Sequence, residues 1–379
     1  MQSNRRTALL AFAGLATACA VTPSEDGTRE GLDDELDPES LAPTLEEVGV
    51  HHGLGFWIPS IGAYRGHNVY DGWYRCWPDD NAMMLMAYAD PRYAWARSVG
   101  LPHAIRDFLL DLSLGEGRFD EGRLVHTVSG AVVKTNPTCS PFSSSLVLHG
   151  IIEFTRRYPN ASGRRAAKHY AEFIDRQLKA QHKAIMARQA GKPCATSGAQ
   201  PQHNFTEPST IAFHVQNATV WGKHAGDATI RKLAEQAWPL LSPRQRSDGG
   251  FKNSLRDAQI LYALSAAIGA GFTAGGVVAA RNRLDKSLTK GTNGGLLAGN
   301  EKGAGSLDTQ ANSYHLLTAT QRPFSATAFL RNRLCFGGGY AWLGKAGRTG
   351  PGPIEDQGMG LLGAAHVARR GWSLAGVTC

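Results

Sequence analysis

Apolar residues recur along this chain in two alternating kinds of segment. One kind is apolar almost all round and rich in small residues: 79–89 (DDNAMMLMAYA), 143–156, 208–224 (PSTIAFHVQNATVWGKH), 256–269, 307–320 and 355–369. The other carries a charged stripe on one face: 92–112, 163–188, 227–240, 274–289 and 322–334. A helix that is apolar on every side is buried, and one with a single charged face lies at a surface. Six buried helices alternating with surface ones predict two concentric rings, with a further outer helix in 40–64 or absent. β-branched alternation is nearly missing, so no substantial sheet is expected.

The buried segments also begin alike. The phrase DGGFKNSLRDAQILYALSAA at 248 returns as GGLLAGNEKGAGSLDTQANSYHLLTA at 294 and as GGYAWLGKAGRTGPGPIEDQGMGLLGAA at 338. Repetition of a phrase marks repetition of a structural unit. Asp79 and Asp80, Asp257, Asp308 and Asp356 stand at or just inside these starts, while Ser140-Pro141 and Glu207-Pro208 open the other two. Asp and Ser accept hydrogen bonds from the free N–H groups of a first turn, and Pro fits there. Acids also suit the positive end of the helix dipole. The unit is an outer helix, a glycine-rich loop, an acidic start and an inner helix.

Over roughly residues 50–370 this pattern resembles the (α/α) toroid superfamily, which includes six-hairpin glycosidases and toroidal polysaccharide lyases. The resemblance implies an all-α fold, an (α/α) toroid of about six helical hairpins with glycine-rich loops leading into the inner helices. It also implies a cleft lined by those loops, on a carbohydrate-active enzyme. The loops before Asp80, Glu207, Asp257, Asp308 and Asp356 should then converge on one rim.

Composition changes the picture at the amino terminus. MQSNRRTALLAFAGLATACA joins Arg5-Arg6, a short apolar run and Ala16-Thr17-Ala18-Cys19, and so reads as an export signal over 1–18 with a candidate lipid site at Cys19. Residues 22–47 hold ten acids and one base, so 19–47 reads as a disordered acidic tether, and 48–379 as the toroid domain. The expected location is periplasmic or cell-surface, with membrane attachment through Cys19 if it is lipidated. Set apart from signal and tether, the remainder has 37 Lys and Arg against 22 Asp and Glu. That excess favours anionic partners, and in an exported protein an acidic polysaccharide or oligosaccharide rather than nucleic acid. Five cysteines follow Cys19 with no zinc spacing; Cys76 with Cys139 and Cys335 with Cys379 are the pairings considered.

Three stretches carry candidate chemistry. YDGWYRCWPDDNA at 70–82 offers Trp73, Tyr74 and Trp77 to stack on sugar rings, Arg75 for a carboxylate or sulfate, and Asp79-Asp80 as an acid–base pair or simply as dipole partners. PQHNFTEPSTIAFHVQNATVW at 201–221 offers His203 and Asn204 in a loop and His214 and Asn217 on the following helix. Groups of this kind neutralise a uronate carboxylate or take its C5 proton, although a core histidine is the plainer reading of His214. GSLDTQANSYHLLTA at 305–319 offers Gln310, Tyr314 and His315, with Tyr314 a possible base. Lys252 and Trp342 belong to loops that should reach the same rim. A β-eliminating lyase acting on an acidic glycan is the first expectation. A hydrolase using Asp79 or Asp80 with Asp308 or Asp356, and a non-catalytic glycan-binding envelope lipoprotein, are the alternatives. No D-x-D-D, G-x-S-x-G, H-E-x-x-H or Walker motif occurs, no Rossmann fingerprint stands in a strand context, and no cofactor or metal is expected.

Overall fold

The computed structural model describes residues 56–66, 69–134, 140–158, 163–188, 205–252, 254–288, 307–319, 343–344 and 354–372. Eleven α-helices lie within them. They are α1 (Pro78–Tyr88), α2 (Ala94–Ser98), α3 (Leu101–Asp111), α4 (Pro141–Arg157), α5 (Gly163–Met186), α6 (Pro208–Ala225), α7 (Ala228–Leu241), α8 (Ser254–Gly269), α9 (Val277–Ser287), α10 (Thr309–Thr318) and α11 (Ile354–Arg369).

Six of these close a ring. Helix α1 packs on α4, α4 on α6, α6 on α8, α8 on α10, α10 on α11, and α11 returns to α1. They are the six apolar segments of the sequence, and their burial explains the composition. In α6 every residue from Ser209 to Gly222 is buried. Each inner helix has neighbours on both sides, the outer ring behind it and the axis in front. The outer helices behave differently. In α7 only Ile230, Ala234, Ala237, Trp238 and Leu241 are buried, a single stripe at helical spacing. Helices α3, α7 and α9 pack on α1, α6 and α8 respectively, and α5 packs on α4, α6 and α7. The chain is thus an (α/α) toroid: the two concentric rings follow the periodicity, and the toroid is what the resemblance implies.

The hairpin α6–α7 shows how local chemistry turns the chain. Gly226 adopts φ 68° after α6, and Asp227 Oδ1 then accepts from the N–H groups of Thr229 and Ile230 at 2.7 and 3.2 Å. Such a cap contributes about 1 kcal/mol. The outer segment 92–112 is not one helix. Gly100 (φ 79°) followed by Pro102 breaks it into α2 and α3.

Strands are more numerous than the sequence suggests, though each is short. They are β1 (Trp57–Ile58), β2 (Ala63–Tyr64), β3 (Val69–Tyr70), β4 (Trp73–Cys76), β5 (Ser113–Gly115), β6 (Arg118–Phe119), β7 (Arg123–His126), β8 (Val132–Lys134), β9 (Leu307–Asp308) and β10 (Leu343–Gly344). The order β3-β4-β7-β8 forms a four-stranded antiparallel sheet. The expectation of no substantial sheet therefore fails for residues 69–134, and residues 57–64 form a hairpin rather than part of an outer helix. Among the described residues no helix is long and apolar enough to cross a membrane. Residues 1–55, the helix expected at 322–334, and Cys139, Cys194, Cys335 and Cys379 lie outside the described residues. Cys76 is a free, buried thiol whose pKa burial pushes up to about 12, so it is a packing residue, and the pairing considered for it is not formed.

Candidate functional site

The starts of the inner helices gather at one rim. Ser143 in the first turn of α4 donates its hydroxyl to Asp79 Oδ2 in the first turn of α1 at 3.2 Å. Lys252, ahead of α8, meets Glu207, ahead of α6, at 2.7 Å. Arg256 of α8 lies 3.9 Å over the ring of Phe142 of α4. Strands β9 and β10, which pair with each other, belong to the loops leading into α10 and α11.

The repeated glycine phrase has a local explanation at α8. Asp257 Oδ1 accepts from the N–H groups of Phe251 and Lys252 at 2.9 and 2.8 Å, folding the loop back on the helix start. Gly249 sits at φ 93°, and a Cβ on Gly250 would lie 2.6 Å from Asp257 Oδ2. The positive φ calls for glycine at 249, while a side chain at 250 would have to displace the ends of Arg246 and Asp257. Asp257 is thereby a loop anchor.

At α1 the sheet replaces the loop that the sequence suggests. Asp71 (φ 49°) and Gly72 (φ 81°) make the tight turn between β3 and β4, as a two-residue hairpin requires. Strand β4 then runs through Trp77 into α1, whose first turn holds Asp79 and Asp80. Trp77 is the residue at the cap position, so neither acid caps the helix. Arg75 lies 3.7 Å over the Trp77 ring and donates to Glu121 Oε2 at 2.8 Å. Trp73 packs edge-on against His126.

Asp79 and Asp257 both have raised pKa values at this rim, each through burial, and Asp79 is the one not committed to anchoring a loop. Burial raises its pKa above the ordinary 3.8, bonds from Ser143 and from the Asp80 N–H oppose the rise, and the charge of Glu121 adds to it. A half-buried carboxyl that holds its proton can serve as a general acid, with Glu121 as a second carboxylate held by Arg75. Asp80 is buried beneath it at 5% exposure. Gln310 is likewise buried, in the first turn of α10.

Other candidates turn away from the rim. His214 is fully buried and stacks on His182 of α5, 3.3 Å between ring nitrogens, so it faces the outer ring rather than a substrate. Asn217 is a core hydrogen bonder, joining His149 Nδ1 at 3.1 Å and the Ser145 carbonyl at 2.9 Å. His315 faces Asp285 of the outer helix α9 at 3.3 Å. Tyr314 is fully buried among Phe213 and Tyr262, its hydroxyl 3.6 Å from Met83 Sδ, which is not the exposed position a base for a polymer needs. Lys252 and Arg75 reach the rim but are paired there with Glu207 and Glu121. His203, Asn204 and Trp342, and the side chains of Asp308 and Asp356, lie outside the described residues. Glu121, Phe142, Ser143 and Arg256 are rim residues that the sequence reading missed. Ser143 was legible, three residues after a Ser-Pro helix start; Glu121 reaches Asp79 only through strand pairing.

Burial pushes the pKa of His214 down to about 3, with the nearby His182 adding to the effect. The unfolded chain then binds a proton that the folded chain refuses, so stability is complete above about pH 6.5 and falls as the pH drops toward 3. At pH 5 this one residue is expected to cost about 2 kcal/mol. Melting curves between pH 7 and 5 should show a smaller acid-induced drop for His214→Phe than for the unaltered chain.

Among the described residues no group of three or more His, Cys, Asp or Glu is placed to hold a metal ion. No protein-family model and no curated protein sequence matches the chain. Solved structures do match it in shape. The cellobiose 2-epimerase of Bacillus thermoamylovorans superposes with a TM-score of 0.63 at 11% identity, over 86% of this chain and 99% of that one. A sugar epimerase from a ruminal bacterium gives 0.60 at 9% identity, over 87% and 99%. The closed ring of inner helices and these two superpositions make the fold an (α/α)6 toroid.

Proposed function

We propose that this protein is a carbohydrate-active enzyme whose sugar lies on the aromatic rim, with Asp79 as its proton donor: a glycoside hydrolase. The observation that carries the reading is the Asp79 carboxyl, raised in pKa between Ser143 and Glu121 beside Trp77 and Arg75. Two carboxyls in unlike surroundings are what glycoside hydrolysis requires. Asp79 protonates the glycosidic oxygen as the C1–O bond breaks. Water then supplies its oxygen to C1 and its proton to the second carboxylate. That both structural neighbours bear the names of sugar epimerases supports a sugar as the substrate.

A second reading, β-elimination on an acidic glycan, is favoured by the excess of basic residues and by Arg75, Lys252 and Arg256 at the rim. Incubation with neutral and uronate-containing glycans separates the two. New reducing ends without an unsaturated uronate chromophore mean hydrolysis, and the chromophore means elimination. An inverted sugar with neither product would overturn both readings in favour of epimerisation.

The proposal extends to the amino terminus: residues 1–18 direct export, and Cys19 becomes a lipidated first residue followed by an acidic tether. Mass spectrometry of the envelope fraction is expected to find a diacylated chain starting at Cys19. A full-length chain in the cytosol would contradict it.

A further inference from the structure

The inner helices start at the rim that carries Asp79, so their ends gather on the opposite face of the ring. Ion pairs join those ends. Asp90, just past α1, lies between Arg157 at the end of α4, 3.9 Å away, and Arg369 at the end of α11. Arg97 of α2 donates to the carbonyls of Tyr88 and Asp90 at 3.3 and 3.0 Å. Glu153, Arg156, Lys223 and Gly269 line one hollow, which brings the ends of α6 and α8 onto the same face.

Charge on this face is one-sided. Arg92, Arg97, Arg156, Arg157, Lys223, Arg369 and Arg370 stand at the ends of α1, α4, α6 and α11 or in the segments that follow them, against three carboxylates, Asp90, Glu153 and Asp227. Asp90 is buried and Glu153 half-buried, while Arg92, Arg157, Lys223, Arg369 and Arg370 are exposed. Burial, and after it the charge of Arg370, holds the Arg369 guanidinium below its ordinary pKa. At the other rim Arg75 and Lys252 are each answered by a carboxylate, Glu121 and Glu207.

Trp372 is half-exposed among these bases, its ring 6.0 Å from the Arg370 guanidinium and edge-on to His366 at 5.4 Å. Tryptophan beside basic side chains suits a surface that meets lipid headgroups, the indole at headgroup level and the cations on phosphates. Basic residues in a last turn also suit the negative end of a helix dipole, which accounts for the sign of Arg157, Lys223 and Arg369. It does not account for Arg92, which lies between α1 and α2, or for the tryptophan. The bases are spread over the ends of neighbouring helices and do not converge on one pocket. A broad anionic surface therefore fits them better than a single small anion.

We propose that this face docks on a membrane surface rich in anionic phospholipid, its guanidinium and ammonium groups against headgroup phosphates and Trp372 at headgroup level. The rim with Asp79 then faces away from the bilayer, open to a glycan. The docking rests neither on the reaction assigned to Asp79 nor on a lipid at Cys19.

Sedimentation of the full chain, carrying Cys19→Ser so that it has no lipid of its own, with vesicles of phosphatidylcholine alone or mixed with phosphatidylglycerol tests this. Binding to the mixed vesicles is expected to be at least about tenfold tighter, and to weaken as salt is added. Lys223→Glu combined with Arg370→Glu is expected to weaken it by about tenfold or more. Both side chains are exposed, and unaltered melting would show that the fold survives. Lys183→Glu combined with Lys286→Glu makes the same change of net charge on exposed positions of the outer helices α5 and α9, and should leave binding largely unchanged. Acetylation read by mass spectrometry adds a measure at single residues: the mixed vesicles should shield Lys223 but not Lys286. Equal affinity for the two kinds of vesicle, equal loss in the two double variants, or no shielding of Lys223 would each overturn the proposal. Release from the vesicles by inorganic phosphate at constant ionic strength would overturn it in favour of a small-anion site.

Discussion

Asp79→Asn is expected to lower turnover of a glycan substrate by about 100-fold or more, because general acid–base catalysis contributes roughly 10²–10⁴. The substitution keeps the shape of the side chain and an oxygen for the Ser143 hydroxyl, which lies 3.2 Å from Asp79 Oδ2. What it removes is the transferable proton. Stability should move the other way. The folded pKa of Asp79 is raised above its ordinary 3.8, so the folded chain binds this proton more tightly than the unfolded one. Above the raised pKa the carboxylate is ionised in a poorly solvated place, and its charge costs stability; below 3.8 that cost vanishes. Asp79→Asn is therefore expected to be as stable as the unaltered chain or more so at neutral pH, with the advantage fading as the pH falls toward 3.8. Steady-state kinetics together with melting curves check both signs. The same acid predicts a rate that declines as the pH rises through the Asp79 pKa. Tyr314→Phe separates the two functional readings. Hydrolysis by Asp79 leaves this variant within a few-fold of full activity, whereas a Tyr314 base in β-elimination would lose a similar 100-fold. An active Asp79→Asn beside an inactive Tyr314→Phe would transfer the chemistry to the lyase reading.

How much of this was visible in the sequence depends on the range of the interactions concerned. The inner helices were legible because their signals are local: all-round apolar composition, and Pro, Ser or Asp at the start. Helix α6 begins at Pro208, as its Glu207-Pro208 start predicts. The sheet was not legible, since its strands span two to four residues and their register is set across intervals such as Arg75 to Leu124. The orientation of polar residues on the inner helices was hidden for a different reason. In a double ring both faces of an inner helix are buried, so helical spacing cannot tell the axis from the outer ring. His214 turns outward to His182, while Asn217, three residues on, joins the network around His149 between α4, α6 and α8. Glu121 escaped notice because nothing near it in sequence marks it as a neighbour of Asp79.

Gly358→Val is expected to produce a large loss of stability. Gly358 lies on α11 at the seam where the last inner helix meets the first. A Cβ there would stand 2.7 Å from the backbone carbon of Met83, and 2.9 Å from both Met83 Cβ and the Met84 nitrogen. These are largely backbone contacts, so no rotamer change relieves them, and α11 would have to withdraw from α1. Gly150 of α4 meets the other side of α1 in the same way, with its Cβ position 2.9 Å from the Ala82 carbonyl oxygen. Helix α1 is thus gripped between two glycines. In an open stack a displaced helix drifts outward at the cost of one interface. In a closed ring, moving α11 away from α1 presses it on α10, so the strain spreads to a second interface. Overpacking of a close contact costs about 1–3 kcal/mol. Alanine at 358 is expected near the middle of that range, and valine, with two further methyl groups, at about 3 kcal/mol or above. At roughly 2–4 °C per kcal/mol for a domain of a few hundred residues, Gly358→Val should melt about 6–12 °C lower. Gly269→Ala is the control. It lies at the end of α8 with nothing within 4 Å of its Cβ position, so alanine there should be neutral or slightly stabilising. Equal melting temperatures for the alanine variants at 358 and 269 would mean that α11 and α1 do not meet as closely as the ring requires.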